Sequence, residues 1–376
     1  MQSMASHTSL TLSPVPAPTS TLGSARHHWL VVQSNRYAWW LGSQSRWAHA
    51  ALKMAGWRLS KLGYRWLGRP SGALAWPLGL AFLCLNAHHD QAKKECAWIE
   101  KCFQGLIDSQ GQSTLAGIAI DRGGLSYAAL RLFELTQNPA YLIYAKTQGE
   151  ALAGLSAAEQ GLIPYTPGKQ WVLVDTVAFL CPFLARLTRM TGDTRYATIA
   201  TKQLAAMWQH GQADNGWIYH AFDSTTLATL GMAGWGRGVG WLVLGIVDTL
   251  CELPEGEQKS LWLARGELLL EKLAACQRSD GHWPWRLDLP TAAPDSSVTA
   301  LIAYALARWQ QAGFATTGGQ SQMLARAQSA LDAATDAQGR VGQCSGEAGG
   351  MGDYSTNFGN YLWAQAPAVA VDQICC

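Results

Sequence analysis

"LTQNPAYLIYA" (residues 135–145) and "MTGDTRYATIA" (190–200) begin 55 residues apart and align position by position. Each closes one apolar run, passes through a short polar turn and places a tyrosine, Tyr141 or Tyr196, just inside the next run. Asn138 and Asp193 stand where a helix N-cap belongs, with a short side-chain oxygen ready to accept from the free backbone N–H groups of the following turn. The repeating unit is therefore a helical hairpin. A second repeat has the same grain: short acidic turns ending in Gly111, Gly161, Gly216, Gly281 and Gly339 recur at spacings of 50, 55, 65 and 58 residues. Each interval holds two helices of ordinary length and their connections.

Between these turns the apolar residues follow helical periodicity, as in Val177, Leu180, Cys181, Leu184 and Leu187, or Leu242, Leu244, Ile246 and Leu250. Strand-like alternation is rare. About five to six hairpins across residues 75–370 give an all-α chain of roughly twelve helices, in which each hairpin buries a face on its neighbour. Such a stack stays open as a solenoid or closes into an α/α toroid. The glycine- and aromatic-rich loops favour closure, because they would then converge on one end and line a cavity.

Composition agrees with extensive helix burial: 48% of the 376 residues are hydrophobic and 14% charged, against about 25% charged in a typical soluble domain. A net charge of +2 offers no electrostatic footprint for nucleic acid. Three segments are expected: a flexible tail over 1–25, a basic Trp-rich helical lead-in over 26–70, and the helical barrel over 71–376. The lead-in carries Arg36, Arg46, Lys53, Arg58, Lys61 and Arg65 with no carboxylate, interleaved with tryptophans. It reads as an amphipathic cover for the main domain, with membrane-surface contact as the alternative. The apolar stretch 71–87 is too short to span a bilayer and reads as a buried helix starting near Pro77. Nine scattered cysteines without a C-x-x-C, and no secretory signal, point to a reducing, cytoplasmic compartment.

The chemistry-bearing candidates lie in or beside the loops. Asp175 in "LVDTVAFL" and Asp121 in "IDRGGLSYAALRLF" occupy equivalent places in successive hairpins. Either suits an N-cap; alternatively, two carboxylates opening into one apolar cavity are equipment for acid/base work on sugars. "GWIYHAFD" offers His220 and Asp223, and "DGHWPWRLDLP" offers His282, Trp283 and Trp285, as structural groups or as a histidine and stacking platforms for a sugar. "WGRGVGW" (235–241) reads as a loop at the barrel mouth. Its glycines supply positive φ and room for a ligand, while Trp235, Trp241 and the planar fork of Arg237 grip an acidic sugar. On that reading Arg237→Lys weakens binding more than it destabilises the fold.

Several stretches together carry a resemblance: "LVDTVAFLCPFLARLTRMTGDTRYATIATKQL", "GWIYHAFD", "WGRGVGWLVLGIVDTLCELP", "DGHWPWRLDLPTAAPDSSVTALIAYALARW" and "CSGEAGGMGDYSTNFGNYLWA". In this order, over about residues 75–366, the chain resembles the unsaturated rhamnogalacturonyl hydrolases of glycoside hydrolase family 105, with the family 88 unsaturated glucuronyl hydrolases as close relatives. The resemblance implies an (α/α)6 barrel, and a glycosidase that hydrates the C4=C5 bond of an unsaturated uronic acid left by a polysaccharide lyase. It implies Asp175 as proton donor and base and Asp121 as the second aspartate. His220, Trp235, Arg237 and Trp241 would surround the sugar, with no metal or cofactor. Leu173, Gly124, Ser126, Val239 and Asp295 depart from the residues usual in that family, at positions near the sugar. An ordinary inverting glycosidase, and a non-catalytic toroid that binds acidic glycans or serves polysaccharide export, remain as other readings of the same cavity.

Overall fold

The computed structural model describes residues 20–43, 72–115, 120–158, 161–166 and 168–375. Twelve α-helices are present among the described residues: α1 (Ser20–Ser43), α2 (Gly72–Ala81), α3 (His89–Phe103), α4 (Gly123–Thr136), α5 (Pro139–Ala158), α6 (Val174–Thr191), α7 (Thr194–His210), α8 (Gly236–Glu252), α9 (Glu257–Ala274), α10 (Ser296–Gln311), α11 (Gly318–Ala333) and α12 (Leu362–Cys375). The even-numbered helices pack in a ring, each on the next, and α12 returns to α2 to close it. The odd-numbered helices lie outside this ring. The toroid is therefore closed.

Closure explains the burial pattern. Helices α8 and α10 are buried on nearly every residue, because each contacts two inner neighbours and an outer helix. The outer helix α9 buries only a stripe containing Trp262, Gly266, Leu269, Leu270 and Leu273. Inner-to-outer connections are short. The turns expected from the sequence sit on the longer outer-to-inner connections: Gly111, Gly161, Gly216, Gly281 and Gly339 all have positive φ. Asp108, Asp280 and Asp336 accept backbone N–H groups within three of them. Asn138 and Asp193 cap as the repeat predicts, accepting from Ala140 N and Arg195 N.

Two small sheets sit at the end of the ring where these longer connections run. β1 (Trp171–Leu173), β2 (Ala221–Asp223) and β3 (Thr229–Leu230) form an antiparallel sheet in the order β1-β2-β3. β4 (Cys344–Ser345) pairs antiparallel with β5 (Phe358–Gly359).

Three expectations change. Pro77 lies inside α2, which begins at Gly72 and continues as a 3₁₀ turn over Phe82–Asn86. Burial in the ring outweighs the local preference for proline in a first turn. Residues 26–43 belong to α1, which packs on α2, α3 and α12, and Arg26 pairs with Asp332 and Asp372. α1 is thus an outer helix of the barrel rather than a lead-in, and it includes the end of the expected tail; residues 1–19 and 44–71 lie outside the described residues. Among the described residues no helix is long and apolar enough to cross a membrane.

The closeness of the ring is set by glycines. A Cβ at Gly245 of α8 would stand 2.8 Å from Val177 O of α6, whereas Gly154 on the outer helix α5 has open space. Gly245→Ala is expected to destabilise the protein by about 1–3 kcal/mol through overpacking. Gly154→Ala is expected to stabilise it by about 0.5–1 kcal/mol through helix propensity. Urea unfolding of the two variants checks the contrast.

Candidate active site

The inner helices present their N-termini at the end that carries the sheets, so residues just before or inside the first turns of α4 and α6 meet there. Asp121 lies in a 3₁₀ turn, Ile120–Arg122, that leads directly into α4. Asp175 is the second residue of α6, just after β1. Neither makes a cap bond. Asp121 Oδ1 accepts from the Tyr165 hydroxyl at 2.5 Å, and Asp175 Oδ2 lies 3.1 Å from His220 Nε2. The Asp175 side chain remains 17% exposed while His220 is 4% exposed, so the carboxylate is partly open to solvent and the imidazole beside it is buried.

Register explains how the histidine arrives. β1 pairs with β2, and Val174 N donates to His220 O at 2.9 Å, bringing the residue before β2 beside the residue after β1. Trp235 closes on the His220 ring at 4.7 Å between centroids, and Tyr354 approaches both rings, its hydroxyl 3.0 Å from His220 Nδ1.

Burial pushes the Asp121 carboxyl up from 3.8 to about 7; the Tyr165 hydrogen bond opposes the rise and the charge of Asp175 adds to it. Burial, reinforced by both carboxylates, pushes the Tyr165 phenol up, which keeps it a hydrogen-bond donor. The charge of Asp175 thus bears on the protonation of Asp121.

"WGRGVGW" proves to be the N-cap and first turn of α8, not a loop. Its glycines provide close packing: Cβ atoms at Gly236, Gly238 and Gly240 would lie 2.7, 2.8 and 2.9 Å from Val298, Trp235 and Leu301. Arg237 is 3% exposed, and it donates to Ser345 O, Ser345 Oγ and Gly346 O at 2.8–2.9 Å between the rings of Trp235 and Trp363. Its fork is occupied by the segment that starts at β4. Trp241 is in the ring interior, packed edge-on to Trp76 and tilted on Phe179.

The remaining candidates stand apart from the aspartates. His282 Nδ1 is 3.1 Å from Thr299 Oγ1, and burial holds its pKa down. Trp283 is fully buried and donates its indole N–H to Leu273 O. Asp223 accepts Thr225 N and Thr226 N in an exposed turn. Asp295 caps α10 through Ser297 N and also accepts from Ser345 N.

Tyr165 and Tyr354 were not singled out from sequence. Each is a loop aromatic beside a glycine-rich or proline-rich turn, the one signal that marks it.

With this geometry in place, the comparisons decide the family. The family model described as Glycosyl Hydrolase Family 88 matches residues 51–371. The chain belongs to that family. It is 28% identical over 179 residues to the unsaturated 3S-rhamnoglycuronyl hydrolase of Alteromonas sp. (strain LOR), a match covering 46% of this chain and 43% of that relative, so the chain spans less than half of the relative's length. In fold it is similar to a family 105 glycoside hydrolase of C. acetobutylicum ATCC 824, with a TM-score of 0.70 at 17% identity over 80% of this chain and 92% of the other. It is also similar to the unsaturated glucuronyl hydrolase of Bacillus sp. GL1, with a TM-score of 0.58 at 17% identity over 80% and 84%. These enzymes share the (α/α)6 toroid.

Two measurements probe the site without substrate. The folded protein retains a proton on Asp121 that the unfolded chain releases, so this group lowers stability as pH rises from about 4 to about 7. Asp121→Asn is therefore expected to raise the urea midpoint more at about pH 8 than at about pH 5; an equal change at both would contradict the buried proton. Arg237→Lys replaces two guanidinium nitrogens, which divide three oxygens between them, with a single nitrogen and loses the planar fork. Its expected loss is about 2–3 kcal/mol of stability, seen in the same assay.

Proposed function

We propose that this chain removes the unsaturated uronyl residue that a polysaccharide lyase leaves at the end of an acidic oligosaccharide, by hydrating its C4=C5 double bond. The contact of Asp175 with His220, and the nearness of a second carboxyl, Asp121, that burial keeps protonated to about pH 7, carry this reading. Membership of family 88 and the name of the Alteromonas relative, which specifies an unsaturated rhamnoglycuronyl substrate, support the substrate class.

The reaction needs a proton at C4 and a water at C5. With its carboxyl raised to about 7, Asp121 still holds its proton in about half of the molecules at pH 7. We assign Asp175 the exchange with substrate, because its carboxylate is partly exposed and braced by His220. Protonation of C4 leaves positive charge on C5 and the ring oxygen. Water adds at C5 and returns its proton to the carboxylate pair. The resulting hemiketal opens the ring, the C1 linkage becomes a hemiacetal, and this releases the remaining saccharide with one water consumed. No step assigned here uses a metal or cofactor.

Trp235 and Arg237 serve this site by packing and by anchoring the segment after β4. We assign Trp241, His282 and Trp283 to the barrel's own packing. Cys84, Cys96, Cys102, Cys181 and Cys344 are buried thiols outside any disulfide, which supports the reading of a reducing, cytoplasmic compartment.

Lyase-generated oligosaccharides test the proposal. The ultraviolet absorbance of the C=C bond is expected to disappear with the parent protein, and kcat is expected to fall about 10²–10⁴-fold in Asp175→Asn. On the alkaline side kcat/KM should decline as pH rises through about 7, where Asp121 loses its proton. Persistent absorbance across a panel of unsaturated substrates, or turnover of saturated ones instead, would overturn the reading.

A further inference from the structure

We infer that Tyr354 is a positioning residue for this reaction: its hydroxyl holds His220 in the neutral Nε2–H form, which donates to Asp175. The inference rests on the assignment of Asp175 given above, but its geometry is independent of any substrate.

The backbone settles the direction of the bonds. Met232 N–H is a donor only, and it lies 2.9 Å from the Tyr354 oxygen, which therefore accepts there. Among the described residues the acceptor within reach of the single phenolic hydrogen is His220 Nδ1, at 3.0 Å. With Nδ1 accepting, the ring proton sits on Nε2, 3.1 Å from Asp175 Oδ2. A chain of donors thus runs from Met232 N–H through Tyr354 and His220 to the carboxylate. The nitrogen that carries the proton in a neutral histidine is set by the bond the other nitrogen makes. The opposite tautomer would turn a nitrogen lone pair toward the carboxylate.

The surrounding structure is shaped for this contact. Gly231 has φ +80°, and a Cβ there would stand 2.5 Å from the Tyr354 hydroxyl and 2.9 Å from His220 Cβ, so only glycine lets the phenol slip beneath the turn. The segment that carries Tyr354 lies between β4 and β5. Its start is tied down by Arg237 through Ser345 O and Gly346 O and by Asp295 through Ser345 N. Burial raises the Tyr354 pKa, with Asp175 adding to it, which keeps the phenol protonated. Trp235 packs against both rings and restrains imidazole rotation.

The test is nitrogen NMR of ¹⁵N-histidine-labelled protein at about pH 8, with His220 assigned by His220→Gln. In the parent, the His220 Nδ1 resonance should lie in the unprotonated range and Nε2 in the protonated range. Tyr354→Phe keeps the ring but removes the donor. It should shift these resonances toward the Nδ1–H form and lower kcat about tenfold or more, with KM changed less than about threefold. Nδ1 protonated in the parent overturns the inference even if the variant does not fold. Unchanged resonances and kcat in a folded Tyr354→Phe overturn it as well. Correct resonances in a protein inactive on every unsaturated substrate would instead remove the proposed reaction and leave the tautomer assignment standing.

Discussion

Closure of the inner ring, with α12 packed back on α2, is the constraint on which the rest of the structure depends. An inner helix in a closed ring of hairpins runs parallel to every other inner helix, so all their first turns share one end. The longer connections also fall at that end, because each outer helix returns there before the chain enters the ring again. Asp121 before α4, Asp175 in α6, Trp235 before α8 and Asp295 before α10 are therefore neighbours by topology although they are far apart in sequence. The opposite end follows the same polarity. There Arg131 donates to Leu85 O and Arg308 to Asn86 O, while Arg186 and Arg189 pair with Glu252, so its cations are taken up by helix-terminal carbonyls and buried carboxylates.

Within that frame the site works by contrast between two carboxyl groups. Asp121 is buried and tied to Tyr165, whereas Asp175 is partly exposed and braced by an imidazole. Moving a proton to carbon at neutral pH needs an acid that still holds a proton there, and burial of one carboxyl beside another provides it. The aromatic residues around them restrain rather than display: Trp235 lies on His220, and Trp241 lies in the interior against Trp76.

The parts of this arrangement legible in sequence were those written in local spacing. The 55-residue repeat, the caps at Asn138 and Asp193 and the acid-glycine turns predicted hairpins and their number, and Asp121 and Asp175, equivalent within the repeat, stand at the starts of successive inner helices. What depended on distant partners was hidden. Tyr165 reaches Asp121 across 44 residues, and Tyr354 reaches His220 across 134. Arg237 read as a free cation because its acceptors lie 108 and 109 residues further on. The glycines of "WGRGVGW" argued for a loop, since each costs a helix about 1 kcal/mol; their contacts with Val298, Trp235 and Leu301 show that tertiary packing overrides this preference.

Acid catalysis at this site turns on the proton that Asp121 retains up to about pH 7. Infrared difference spectroscopy of the protonated-carboxyl C=O stretch, parent against Asp121→Asn over about pH 4–9, measures it most directly. The account predicts a band present in the parent, absent from the variant, and titrating with an apparent pKa near 7. A parent whose Asp121 band has vanished by about pH 5, as for an ordinary aspartate, would contradict it.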